Sequence, residues 1–123
     1  MIPVLRLAPI AILALGAVAC GPSYDQTDFN FRTSPPVPVS ITNDRFTVTE
    51  GIAVGFIALP MSGSKEMEGE FRLETSDSTI LGVSRGTADR SFVVWGVAPG
   101  TTTVRVRLDG EVEAQIPATV TAQ

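Results

Sequence analysis

Few side chains in this sequence have both the type and the spacing for chemistry. Cys20 is the only cysteine in 123 residues, and it closes the run Ala17-Val18-Ala19-Cys20. A thiol there is an acylation site, a redox group or a buried apolar side chain. With no second cysteine it forms no disulfide within the chain. Ser62-Gly63-Ser64-Lys65 sets a hydroxyl three residues before an amine, a spacing at which lysine activates a serine nucleophile. Glu66, Glu68 and Glu70 place carboxylates at alternate positions, oxygen ligands of the kind Ca²⁺ takes. The chain has no histidine, which removes the usual general base, the usual metal ligand and every Ser-His or Cys-His pairing. Any catalysis is left to carboxylates, Lys65, Tyr24 or the backbone.

The context of each group narrows the choice. In penicillin-binding enzymes the Ser-x-x-Lys serine opens a buried helix beside partner motifs. Here Ser62 to Lys65 lie in the Gly- and Ser-rich stretch Met61 to Gly69, which reads as a surface loop. The three glutamates lack an accompanying Asp-x-Asp-x-Gly loop and read as a solvated segment. No cofactor and no metal site is expected.

The elements around Cys20 say most about it. Residues 1–19 hold one charged side chain, Arg6, and Leu7 to Ala19 is apolar apart from Pro9 and Gly16. Thirteen residues reach about 20 Å as helix, short of a bilayer core of roughly 30 Å. A weakly basic start, a short apolar run and small residues at its end predict a cleaved secretory signal peptide over 1–19. A buried core helix is the alternative, opposed by Pro3, Pro9 and the lack of a polar face. Ala17-Val18-Ala19-Cys20 resembles the lipobox of bacterial lipoproteins, with Ala17 where Leu is usual. The resemblance implies that the mature chain begins at a lipidated Cys20 and is held on a membrane by two or three acyl chains. Each buried methylene contributes about 0.8 kcal/mol. By analogy with enterobacterial sorting, Gly21 after the cysteine favours the outer membrane.

Past the leader, eight basic and thirteen acidic side chains give a formal charge of −5. With no clustered Lys or Arg, nucleic acid is not an expected partner. Gly21 to Pro38 carries four prolines (Pro22, Pro35, Pro36 and Pro38) among polar residues, so 20–36 is expected to be the lipidated cysteine and a flexible tether. Phe29 and Phe31 are unusual in a free linker. From 37 to 123 turn residues recur every 8–12 positions between β-prone runs, and no helical period appears. Strands are expected at Val37–Thr42, Arg45–Thr49, Ile52–Leu59 (closed by Pro60), Glu70–Thr75, Thr79–Val83, Ser91–Val97, Thr102–Leu108 and Val112–Val120, with Asp109-Gly110 as a hairpin turn. Period-two alternation in seven or eight strands predicts an all-β fold, an antiparallel β-sandwich of two packed sheets.

Three stretches carry a family likeness. "GVAPGTTTVRVRLDGEVEAQIPATVTA" (Gly96 to Ala122) resembles the end of a bacterial immunoglobulin-like domain of group 2: a Gly-Val-x-x-Gly turn, a Thr-rich strand, a hairpin and a final Val/Thr strand. "LETSDSTILGVS" (Leu73 to Ser84) and "TVTEGIAVGFIAL" (Thr47 to Leu59) resemble the preceding segments. The likeness spans about 80 residues. It implies an immunoglobulin-like sandwich used for adhesion, spacing or ligand-holding at the bacterial surface, with no catalytic residues to carry over.

On that pattern Arg105 and Arg107 point outward between Glu70–Glu74 and Glu111–Glu113, a solvated face of cross-strand ion pairs. The other sheet differs. Val54, Phe56, Ala58, Phe92 and Val94 are expected inward. Ala53, Ile57, Leu59, Val93 and Trp95 then point outward where polar residues are usual, with Trp95 across Gly55. This apolar face is a candidate partner surface, unless the Phe29–Phe31 segment covers it or the register is one residue off. The sequence therefore predicts a non-catalytic, lipid-anchored envelope protein that binds a protein or glycan partner or serves a larger assembly. A small carboxylate-dependent hydrolase is the alternative, although no carboxylate pair falls in an evident cleft.

Overall fold

The computed structural model describes residues 22–123. Cys20 and the leader lie outside the described residues. Ten strands follow one another: β1 (Gln26–Phe31), β2 (Ser40–Ile41), β3 (Phe46–Thr49), β4 (Ala53–Ser62), β5 (Lys65–Glu66), β6 (Phe71–Thr75), β7 (Leu81–Arg85), β8 (Ser91–Gly96), β9 (Gly100–Leu108) and β10 (Glu111–Thr121). They form two sheets of five. One has the order β1-β4-β8-β7, with β5 on the end of β4, and the other has the order β2-β3-β10-β9-β6. The fold is all-β, a β-sandwich as expected.

The alternation seen in the sequence selects the faces. In β4, Val54, Phe56, Ala58 and Pro60 are buried while the residues between them are not, and β8 buries Phe92, Val94 and Gly96 in the same way. From the second sheet Phe46, Val48, Phe71, Val104, Val106, Ile116, Ala118 and Val120 complete the core. Phenylalanine rings pack edge-on through its centre, Phe46 to Phe56 at 6.1 Å and Phe71 to Phe92 at 5.8 Å between centroids. Edge-to-face contact favours the aromatic quadrupoles and fixes how the sheets stack.

The strand expected at Thr79–Val83 lies at Leu81–Arg85, and the expected loop Met61–Gly69 holds the short strand β5. Four larger departures from the sequence-based expectation follow. Gln26–Phe31, assigned to the tether by composition, is strand β1, paired with β4 from Gln26↔Met61 to Phe31↔Phe56. Phe29 packs edge-on against Phe46 at 5.4 Å and Phe56 at 5.5 Å, so this strand closes the core and belongs to the domain. Pro60 does not end β4. Its missing N–H falls on the side away from β1, beyond the last β4–β8 pair at Ile57↔Ser91, and its carbonyl on that side accepts from the Met67 amide at 2.8 Å as the chain turns through Gly63 into β5. The sheets are not wholly antiparallel, because β10 runs parallel to β3, Phe46 opposite Ala118 and Val48 opposite Val120. The opening strand of the second sheet is short, Ser40–Ile41 against the expected Val37–Thr42, since Pro38 cannot donate to the ladder.

The Asp-Gly hairpin forms as expected. Asp109 and Gly110 have φ of 51° and 85°, the pair of positive values that joins strands with the correct twist. The Asp109 carboxylate accepts from the Glu70 amide at 2.9 Å, tying the turn to the start of β6.

Candidate functional site: the outer face of the first sheet

The predicted inward and outward sets fall on the sides assigned to them. Across the sheet, Trp95 sits between Ala53 and Gly82, Val93 between Gly55 and Ser84, and Ile57 between Asn30 and Ser91, while Leu59 lies beside Asp28. All five candidate residues, Ala53, Ile57, Leu59, Val93 and Trp95, therefore share one face. Trp95 is 36% exposed and Ala53 is exposed, while Ile57, Leu59 and Val93 are half-buried.

Two details of this face differ from expectation. Trp95 does not cross Gly55. Its indole lies flat on Gly82, so close that a Cβ at position 82 would fall 2.1 Å from the ring. Gly55 is instead met by Thr33, whose Oγ1 accepts from the Gly55 amide at 3.0 Å, while the Arg32 amide donates to the Gly55 carbonyl at 2.8 Å. The chain after β1 thus bends back over one point of the face. β1 itself lies beside β4 as a strand, not over it as a lid. A shallow trough of about 210 Å³ remains, lined by Thr33, Gly55, Gly86, Ala88, Ser91 and Val93 among others. The polar shoulder of the face comes from Asp28 and Asn30 on β1. Sequence reasoning missed Gly82, Thr33 and that shoulder. A glycine inside a strand pattern was the available signal for Gly82.

The opposite outer face is polar and held by ion pairs. The Arg107 Nε donates to Glu74 Oε1 at 2.7 Å, and Arg105 Nε approaches the same oxygen at 3.5 Å. Arg72, directly opposite Arg107, turns to Glu70 at 3.4 Å. The expected pairing with Glu70–Glu74 is present. Glu111 and Glu113 form no ion pair among the described residues: Glu111 stands opposite Leu108, Val112 takes the place opposite Arg107, and Glu113 falls at the register shift between Val112 and Ala114. The hydrogen bond from Arg107 holds the Glu74 carboxyl below the usual glutamate range, with Arg105 adding to it and partial burial opposing.

The groups singled out for chemistry are dispersed. Ser62 and Lys65 face each other across the β4–β5 turn, with Gly63 at φ 60° between them, in a hairpin and not on a helix. Glu66 pairs with Arg90 at 3.2 Å, and Glu70 is taken by Arg72. Tyr24 is half-buried against the core with its hydroxyl 2.7 Å from Thr27 Oγ1, and burial pushes its pKa up.

No protein-family model matches the chain, and no curated protein does. Solved structures do. Domains 4 and 5 of the S-layer protein SbsC superpose with a TM-score of 0.54 at 17% identity, covering 77% of this chain and 54% of that one. Domains 1–6 of the same protein give 0.57 at 16% identity, covering 84% of this chain and 14% of that one. The chain thus spans about half the length of the first and a seventh of the second. At these identities the likeness is one of fold: this β-sandwich is built as the SbsC domains are.

Proposed function

We propose that this chain is a non-catalytic module of the bacterial cell envelope, anchored through lipid on Cys20, whose sandwich holds a protein or glycan partner or joins a larger assembly. One observation carries the reading: a row of apolar side chains ending in a third-exposed Trp95 occupies the face of an antiparallel sheet that solvent normally keeps polar. The fold shared with S-layer domains supports an envelope setting, and the Gly96–Ala122 motif supports a group 2 immunoglobulin-like label. The lipobox supports the anchor, and Gly21 after the cysteine supports the outer membrane as its site. The hydrolase alternative gains nothing from the geometry. Glu74, Glu66 and Glu70 each serve an arginine, and a carboxyl held ionised beside Arg107 is a poor proton donor.

The test separates anchor from surface. Cys20→Ser is expected to abolish palmitate incorporation and release a soluble or uncleaved chain. Labelling and membrane partition that survive the change would refute the anchor. Trp95→Ser, in the anchored chain, is expected to weaken partner co-purification from native envelopes while the domain stays folded. Unchanged partners would refute the surface.

A further inference from the structure

The first sheet ends in two open edges whose free positions match each other. On β1 the Thr27 N–H and C=O point away from β4, and both are taken by the Asn43 side-chain amide, with Thr27 N to Asn43 Oδ1 at 2.8 Å. By the two-residue period, Phe29 and Phe31 aim their N–H and C=O the same way. Among the described residues nothing pairs with them there. On β7, bonds from Val97 N to Ile80 O and from Gly86 N to Ser91 O turn the even-numbered residues toward β8. Val83 and Arg85 therefore present their backbone groups outward. The Leu81 N–H, also outward, is taken by the Asp77 carbonyl at 3.2 Å. Each edge has two positions without a backbone partner, bounded by one that is closed; of the four, the Arg85 carbonyl accepts a long bond from the Ser84 hydroxyl at 3.3 Å, which a pairing strand would displace.

The strands alternate in direction across β1-β4-β8-β7, so β7 runs opposite to β1. A second copy placed alongside in the same sense brings its β1 antiparallel to β7. We infer that copies of this chain join head to tail in this way, with Val83 opposite Phe31 and Arg85 opposite Phe29 of the next copy. This register uses all four open positions and leaves Thr27 and Leu81 outside it. A shift of two residues in one direction would set Arg85 against Thr27, which Asn43 already occupies.

Side chains fit the same register. Arg32 of the second copy falls opposite Gly82, where the exposed face of Trp95 lies, and a guanidinium over an indole is the favoured cation–π pairing. On the inner side Phe31, 50% exposed in a single copy, faces half-buried Val83 and the cleft of about 270 Å³ between β6 and β7 lined by Leu73, Val83, Arg85 and Phe92. One contact thus covers both exposed aromatic side chains. Because the joined surfaces differ and each strand step adds about 20–25° of twist, the contact does not close on itself and extends as a coiled ribbon. The inference rests on the assembly reading of the domain but makes no use of Cys20.

Disulfide trapping tests it in the full chain, carrying Cys20→Ser, in detergent under mild oxidation. An equal mixture of Phe31→Cys and Val83→Cys chains is expected to give a linked dimer, each alone to stay monomeric, and a chain with both changes to form a ladder beyond dimer. Dimers from Phe31→Cys alone would mean two-fold β1 pairing and overturn the inference. So would a mixture that stays monomeric while both variants unfold cooperatively near the parent temperature. Because the lipid-bearing cysteine is absent, a negative result leaves the palmitate test of the anchor standing.

Discussion

The Trp95–Gly82 contact makes a quantitative test of how the outer face is built. Gly82 lies inside β7, where glycine weakens a strand by roughly 0.5–1 kcal/mol relative to alanine. In the structure the indole of Trp95 covers the bare backbone. A Cβ at position 82 would meet Cε2 at 2.1 Å, Cζ2 at 2.3 Å and Nε1 at 2.5 Å, so Gly82→Ala must expel the ring. Fully burying a large apolar side chain is worth about 1.5–3 kcal/mol, and Trp95, roughly two-thirds covered, holds about 1–2 kcal/mol of that. Displacing the ring forfeits this contact, and the alanine returns 0.5–1 kcal/mol, roughly, through lower backbone entropy. Gly82→Ala is thus expected to destabilise by about 0.5–1 kcal/mol. In a Trp95→Ala background there is no ring to expel, and the same change is expected to stabilise by a similar amount.

Urea unfolding of the four chains of this double-mutant cycle gives the coupling, expected at about 1–2 kcal/mol. Trp95 is the one tryptophan in the chain, so its fluorescence reports the ring directly. Gly82→Ala should shift the emission to the red as the indole moves into water. If Gly82→Ala has the same effect in both backgrounds, within about 0.5 kcal/mol, the ring does not rest on Gly82 and the account of this face fails.

Two further outcomes follow from the polar contacts. Thr27 is 1% exposed, and its N–H and C=O both depend on the Asn43 amide, so Asn43→Ala should cost about 1–3 kcal/mol and speed hydrogen exchange at the Thr27 amide. Asn43→Asp, which keeps the acceptor and loses the donor, should fall between; equal stability of all three chains would show that the Asn43–Thr27 hydrogen bonds contribute nothing. Glu74 has a depressed carboxyl pKa, so its contribution is present above the usual glutamate value of about 4.5 and is lost as pH falls through the lower folded value. Glu74→Gln should therefore cost under about 1 kcal/mol at neutral pH, as befits a third-exposed pair, and should flatten the acid limb of stability against pH. An acid limb of unchanged slope would assign it to other carboxylates.

The sandwich and the two faces of β4 and β8 were legible in the sequence because burial on one side of a sheet imposes a strict two-residue period. Val54, Phe56 and Ala58 form one face and Ala53, Ile57 and Leu59 the other, with Phe92 and Val94 repeating the period on the next strand; both faces of β4 are apolar, so it was the likeness of Thr47 to Leu59 to the group 2 segments that pointed to the inward set. Asp109-Gly110 was legible for a local reason, since positive φ at two successive residues selects that pair. What failed was inference from composition where a pattern was also present. Gln-Thr-Asp-Phe-Asn-Phe at 26–31 carries an alternation of its own, weaker than that of β4, with Thr27 buried and Phe29 packed on the core while Gln26 and Asn30 are exposed. Its polar half and the prolines beyond it made it resemble linker. Being an edge strand it needs few apolar residues, because its own sheet meets only one side of its backbone ladder and much of its outer face is open.

The parallel pairing of β3 with β10 and the seat of Trp95 were out of reach for a different reason. Both are set by contacts more than a dozen residues apart in sequence, and no local preference distinguishes their alternatives. Thr47 and Val48 fit a parallel or an antiparallel neighbour equally well. The choice is made when Phe46 and Val48 must share a core with Ala118 and Val120. Trp95 has strand neighbours on both sides, Ala53 and Gly82, and sequence alone ranks neither. Gly82 wins because only a residue without a Cβ lets the indole lie flat, whereas Gly55, one step along β4, is already covered by Thr33. The segment misread as tether thus decides which glycine the tryptophan covers, and with it which edge of the sheet the aromatic face adjoins.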